Sequence, residues 1–186
     1  NSTALGRADL ETATPMSATS VCRVASLTKS FTAAALLRLQ EKGVLSLDDR
    51  LSRFLPDFPR AGDITLRQMM DHTSGLGDYS HTNPPELVLE RSRLDHYGAD
   101  LQEVLKTQTE PLFVGEPGRQ FAYSNTAYVL LGLVIDKAAG RPYAEVFRQE
   151  LLAPAGLTRT AVDDAAEVVP GRASGYSPSD KAASGF

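Results

Sequence analysis

Cysteine is almost missing from this 186-residue chain: Cys22 stands alone, which excludes an intrachain disulfide and a thiolate cluster for zinc or iron–sulfur. Histidine is scarce too, with three in all, and no His-x-x-x-His pair offers a metal site. No Gly-x-Ser-x-Gly elbow occurs, and His81 and His96 lie in polar stretches expected to be exposed, which argues against a Ser-His-Asp hydrolase. The longest nearly apolar run, Ala127 to Ile135, is far short of the roughly 20 residues that span a bilayer, so no transmembrane segment or anchor is expected. The opening residues, Asn1 to Arg7, lack a basic start followed by an apolar stretch, and no signal peptide is read there. Neither sign of charge is concentrated: 19 basic and 23 acidic residues interleave to a net charge of -4, leaving no basic footprint for nucleic acid. What is there suits a folded chain, with 42% hydrophobic and 23% charged residues, enough to bury one good core.

Along the chain, Leu5 to Cys22 lacks helical periodicity and carries Thr12, Thr14, Pro15, Ser17 and Thr19, which predicts short strands joined by a turn at one edge of a sheet. From Ser26 the pattern becomes helical: Phe31, Ala34, Ala35, Leu37 and Leu39 recur through Lys42, and Gly43 closes the helix. Leu45 to Pro59 is mixed and ends in proline, which predicts short turns wrapping the surface. Thr65 and Gln68 form a capping box for a helix ending near His72. A tight loop follows at Thr73 to Ser80, then the Pro84-Pro85 pair and a short helix capped by Asp100 and Glu103. Asn125 to Ala139 is a strongly apolar helix closed by Gly140 and Pro142, and a last helix runs from Tyr143 to Leu152. After Gly156 periodicity is lost, and the chain holds no internal repeat.

Two short patterns carry chemistry. Ser26-Leu27-Thr28-Lys29 stands where an extended segment turns into a helix, so hydroxyl and amine lie one turn apart on one face. A serine hydroxyl needs an adjacent base to become a nucleophile, and a lysine in a cleft can serve. The helix N-terminus adds backbone N–H groups able to stabilise an oxyanion. Taken alone, the pattern is equally a cap serine with a solvated lysine. In Tyr123-Ser124-Asn125, residues two apart project to one side of an extended stretch, so Tyr123 and Asn125 can face one cleft. A phenol can relay a proton and an amide can hold a substrate amide. The competing reading is a buried tyrosine followed by Asn125 as a helix cap.

Taken together the two patterns resemble the serine β-lactamase and penicillin-binding protein family, in its branch of class C β-lactamases, D-alanyl-D-alanine carboxypeptidases and related esterases. The likeness extends in family order through Arg23 to Ala33, Leu45-Ser46-Leu47-Asp48-Asp49, Ile64 to Gln68, His72-Thr73-Ser74-Gly75-Leu76, Pro117-Gly118 and Tyr123-Ser124-Asn125. Tyr-Ser-Asn and Ser74-Gly75-Leu76-Gly77-Asp78-Tyr79 look closer to actinomycete-type DD-peptidases and esterase-like members than to class C β-lactamases, which usually carry Tyr-Ala-Asn. The resemblance implies an α/β (α+β) fold of β-lactamase/transpeptidase type, a helical region packed on an antiparallel sheet. Residues 1–25 would give N-terminal strands, 26–156 the catalytic helix and helical domain, and 157–186 a loop-rich return segment. It implies a serine hydrolase forming a seryl acyl-enzyme on D-alanyl peptides, β-lactams or small esters, with no cofactor and no metal. Ser26 would be acylated, Lys29 would act as base, Tyr123 would share or relay the proton, and Asn125 would bind the substrate amide. The implied location is the cell envelope, the periplasm or outside the cell.

One departure stands out. The family's third motif, Lys/His-Thr/Ser-Gly on a strand beside the cleft, does not follow Tyr123, and neither His72-Thr73-Ser74-Gly75 nor Lys181-Ala182-Ala183-Ser184-Gly185 replaces it. His72 is therefore read as structural. The chain is expected to be a piece of a longer protein, complemented by a C-terminal segment or a second chain, because an exposed half-sheet invites aggregation. The alternative is a non-catalytic scaffold or binding protein on the same fold.

Overall fold

The structure is a computed structural model that describes residues 2–79, 111–164 and 167–176. It divides into two compact units, Ser26–Val162 and a smaller one of Asn1–Ala25 with Asp163–Phe186. The helix expected from Asp100 and Glu103, the Pro84-Pro85 pair, His81, His96 and the Lys181 stretch lie outside the described residues.

In the smaller unit the expected strands of residues 5–22 are replaced, among the described residues, by isolated bridges: Arg7 opposite Pro15, antiparallel, and Val21 beside Arg172, parallel. Each pairing is too short to build a ladder, and short pairings are marginal by themselves. Side chains supplement them. The Asp9 carboxylate accepts from the Ser174 hydroxyl at 2.6 Å and from the Thr12 amide at 2.8 Å. Those bonds, Ser174 first, lower its pKa to about 2.

The larger unit is helical. α1, Thr28–Glu41, buries Thr32, Ala35, Leu36 and Leu39, the i, i+3, i+4, i+7 stripe of an amphipathic helix, and its Ala33–Ala35 run favours helix locally. α2, Leu66–Met70, opens on Thr65, and the capping box with Gln68 forms as the sequence predicts. α3, Asn125–Ala139, ends at Gly140 in the left-handed conformation and buries Ala127, Leu130, Leu131, Val134 and Ile135. α4, Tyr143–Phe147, is shorter than predicted: Arg148–Leu152 continues as a wider π-turn. That turn brings Glu150 to Lys42 at 2.5 Å and to Arg141 at 2.7 Å. Where α1 meets α4, Tyr143 shares a 2.8 Å hydrogen bond with Thr32 and is buried deeply enough to push its phenol up to about 12.

Residues 45–59 do not wrap the surface as the sequence reading expected. Leu45, Leu47, Leu51, Leu55 and Phe58 are all buried in the core shared with α1, α2 and α3. A loop can enter a core when its backbone is paired. Here Leu51 N–H donates to the Ile64 carbonyl at 2.9 Å, Arg67 N–H to Leu47 at 2.9 Å, and Leu47 N–H to the Gln40 side chain at 2.8 Å.

A second paired loop positions the site. Residues 73–77 run antiparallel to 112–118, with Gly77 N–H donating to Leu112 at 2.8 Å, Val114 N–H to Gly75 at 2.9 Å and Gly118 N–H to Thr73 at 2.7 Å. Gly75 is required there. Its φ is +75°, and a Cβ would lie 2.2 Å from the Gly115 carbonyl oxygen.

Candidate active site

Ser26 sits in a short 3-10 turn, Ala25–Leu27, that runs directly into α1. Ala25 just before it holds φ at +45°, a strained backbone for a residue with a Cβ. The α1 N-cap, Leu27, makes no side-chain cap hydrogen bond. Lys29 follows one turn on, half-buried, with Nζ donating to Ser26 Oγ at 3.1 Å.

The other two residues arrive from the start of α3. The Tyr123 hydroxyl lies 2.8 Å from Ser26 Oγ, and Asn125 Oδ1 accepts from Lys29 Nζ at 2.6 Å. All four residues singled out by the sequence therefore meet in one hydrogen-bonded group. Ser124, one residue before Asn125, is the α3 cap, its hydroxyl accepting from Ala127 N–H, which leaves the Asn125 side chain free of a capping role.

Lys29 Nζ also stands 4.8 Å from the Tyr123 ring centre and 5.5 Å from that of Tyr128. The ammonium, and next the bond to Ser26, hold the Tyr123 phenol below its ordinary range. A phenol that ionises more readily, in contact with a serine hydroxyl, is suited to take that hydroxyl's proton.

The family model for Beta-lactamase matches residues 1–185. This chain belongs to the beta-lactamase family. Among its relatives, penicillin-binding protein 4* of Bacillus subtilis is 34% identical over 162 residues, 84% of this chain and 34% of that protein. Esterase EstB of Burkholderia gladioli is 35% identical over 164 residues, 83% of this chain and 41% of that protein. D-amino acid amidase from Ochrobactrum anthropi, solved with L-phenylalanine amide, matches with a TM-score of 0.68 at 32% identity, over 83% of this chain and 42% of that one. The chain thus spans between 34% and 42% of the length of these three relatives. The fold is the β-lactamase/transpeptidase-like fold, with few strand residues among those described. No helix among the described residues is long and apolar enough to cross a membrane.

In this beta-lactamase family chain the structure brings to the site residues that the sequence reading did not place there. Asp78 accepts from Asn125 Nδ2 at 3.0 Å. Tyr128 donates to the Met70 carbonyl at 2.8 Å, which fixes the ring beneath Lys29. His72 lies against three aromatic rings, 4.5 Å from that of Tyr123, 5.1 Å from Tyr128 and 5.7 Å from Phe121. Its Nδ1 accepts from Ser124 N–H at 3.1 Å, which demands an unprotonated nitrogen. Asp78 and His72 had a signal in the sequence, their places in the Ser-Gly-Leu-Gly-Asp-Tyr and His-Thr-Ser-Gly-Leu likenesses; Tyr128 depends on contacts distant in sequence.

Burial, and after it the Lys29 charge, lowers the His72 pKa, while Asp71 and Asp78 oppose that shift. The neutral form is thus favoured by folding, so the unfolded chain binds more protons below the ordinary histidine pKa of about 6.5. Stability is full above that pH and falls as the pH drops through the lower folded value. His72→Asn keeps a side chain tolerant of the φ of +61° found there but cannot titrate. It is expected to flatten the loss of melting temperature between pH 6.5 and pH 5; thermal scans at both pH values check this, and an unchanged slope would clear His72 of it.

Proposed function

We propose that this chain carries the nucleophile and proton-transfer groups of a serine hydrolase working through a seryl ester at Ser26. The observation that carries the reading is the double contact on one oxygen: Ser26 Oγ meets Tyr123 OH at 2.8 Å and Lys29 Nζ at 3.1 Å. As Oγ bonds to the substrate carbonyl carbon, its proton passes to the Lys29–Tyr123 pair, and the carbonyl electron pair moves onto oxygen beside the α1 N-terminus. Collapse of that adduct breaks the bond to the leaving nitrogen or oxygen, which takes the proton from the pair. Water then attacks the ester carbonyl, giving its proton to the same pair, and collapse breaks the bond to Ser26 Oγ, which takes that proton back as the acid leaves. Asn125, held at the pair, is the group expected to meet the substrate amide.

The names of the three relatives, a penicillin-binding protein, an esterase and an amidase, support a substrate with a carbonyl on a nitrogen or oxygen leaving group. D-alanyl peptides, β-lactams and small esters fit, and peptidoglycan-like substrates would place the protein in the cell envelope or outside the cell. The experiment is turnover of p-nitrophenyl acetate, a chromogenic cephalosporin and D-phenylalanine amide by parent protein and Ser26→Ala. At least one substrate is expected to be turned over about 10³-fold faster by the parent. Equal rates on all three would instead favour a binding or scaffold protein.

A further inference from the structure

Asp78 is 9% exposed and carries an acidic side chain into the larger unit, where an ionised group needs partners. The backbone around it is tied to the start of α3 at two points. The Ser124 hydroxyl donates to the Gly77 carbonyl at 2.8 Å, and Tyr79 N–H donates to the Thr126 hydroxyl at 3.0 Å. These bonds set the carboxylate against Asn125, whose Nδ2 lies 3.0 Å from Oδ2 and 3.3 Å from Oδ1 of Asp78. On the opposite side of the same amide, Oδ1 accepts from Lys29 Nζ at 2.6 Å.

The two flanking groups are of opposite kinds. A carboxylate accepts hydrogen bonds and an ammonium only donates them, so a single amide orientation satisfies both. Turned over, the amide would point its NH₂ at the ammonium and its carbonyl oxygen at the carboxylate, two repulsive contacts in place of two hydrogen bonds. We propose that Asp78 is a positioning residue that locks the Asn125 amide with its oxygen on Lys29. One Lys29 N–H is thereby committed to Asn125, which aims the nitrogen at Ser26 Oγ, 3.1 Å away. The lock itself follows from the hydrogen bonds; its effect on rate rests on the serine-hydrolase reading above.

Two measurements test it. In side-chain amide ¹H–¹⁵N spectra, the Asn125 protons are expected to exchange slowly in the parent and to shift and exchange faster in Asp78→Ala. An Asn125 signal unchanged by that substitution would overturn the lock. In the second, the acylation rate with a fluorescent penicillin is expected to fall about 10- to 100-fold in Asp78→Ala, by misplacement of the Lys29 nitrogen. The same substitution made in an Asn125→Ala background is expected to cost less than about 3-fold, because Asp78 acts through Asn125. Equal losses in both backgrounds would show that Asp78 acts independently and would overturn the proposal. Asp78→Asn keeps an acceptor oxygen of the same shape and is expected to retain part of the rate. If Asp78→Ala does not fold, that variant decides by the same two measurements. A parent that is never labelled while its Asn125 signal responds to Asp78→Ala removes the serine-hydrolase reading and leaves the lock standing. A labelled parent with an unresponsive Asn125 signal does the reverse.

Discussion

Lys29→Ala is expected to slow acylation of Ser26 by about 10³-fold while moving the melting temperature little. Lys29 Nζ joins the two halves of the site, donating to Ser26 at 3.1 Å and to Asn125 at 2.6 Å and standing over the Tyr123 ring. Removing it takes away a proton-transfer group and the charge that favours ionised Tyr123, while Asn125 loses its donor. The fold should tolerate the change, since Lys29 lies in the first turn of α1 and alanine is the best helix former. The packing lost is the half-buried lysine stem. Rates of labelling by an activated ester, with thermal unfolding alongside, measure both parts. Near-parental labelling in a folded Lys29→Ala variant would take Lys29 out of the mechanism.

The second large effect is on stability. Gly75→Ala is expected to destabilise the protein by roughly 3 kcal/mol or more, because two costs fall at one position. The φ of +75° is unfavourable for any residue with a Cβ, and that Cβ would sit 2.2 Å from the Gly115 oxygen and 2.9 Å from its carbon, both backbone atoms that no rotamer change can clear. Gly140→Ala isolates the first cost: φ there is +65°, yet nothing lies within 4 Å of the added carbon, so about 1 kcal/mol is expected. Denaturant unfolding of the two variants separates the terms. Losses of equal size would mean that the loop of residues 73–77 shifts freely against residues 112–118. That pairing ends at Gly77, the residue before Asp78, and the Gly77 carbonyl accepts from the Ser124 hydroxyl.

The parts of the fold legible in the sequence were those whose signals are local. Thr65 and Gln68 announce α2 three residues apart, Gly140 ends α3, and the apolar spacing from Phe31 to Leu39 marks α1. Residues 45–59 misled because their burial depends on backbone partners at Ile64 and Arg67 and a side chain from α1, which composition does not show. The stretch over residues 5–22 read as strands from its threonines, but a strand also needs a neighbour, and the bridge at Val21 is formed with Arg172, far along the chain.

The site divides in the same way. Ser26 and Lys29 follow from helical spacing, whereas Tyr123 and Asn125 gained meaning only beside the first motif, since 97 residues separate Ser26 from Tyr123. Asparagine makes a good helix cap, so the sequence left Asn125 open between capping the helix and facing the cleft. The structure gives the cap to Ser124 and turns Asn125 toward Lys29. Asp78, reaching Asn125 across 47 residues, had no local pattern to betray its partner.

The most direct measurement is the intact mass of the purified protein before and after incubation with a penicillin and, separately, with a p-nitrophenyl ester, with Ser26→Ala treated alongside. A single acyl adduct on the parent, mapped to the peptide that contains Ser26 and missing from Ser26→Ala, is the expected result. An adduct retained by Ser26→Ala, or no adduct from either reagent on a folded parent, would contradict the assignment of Ser26 as the nucleophile.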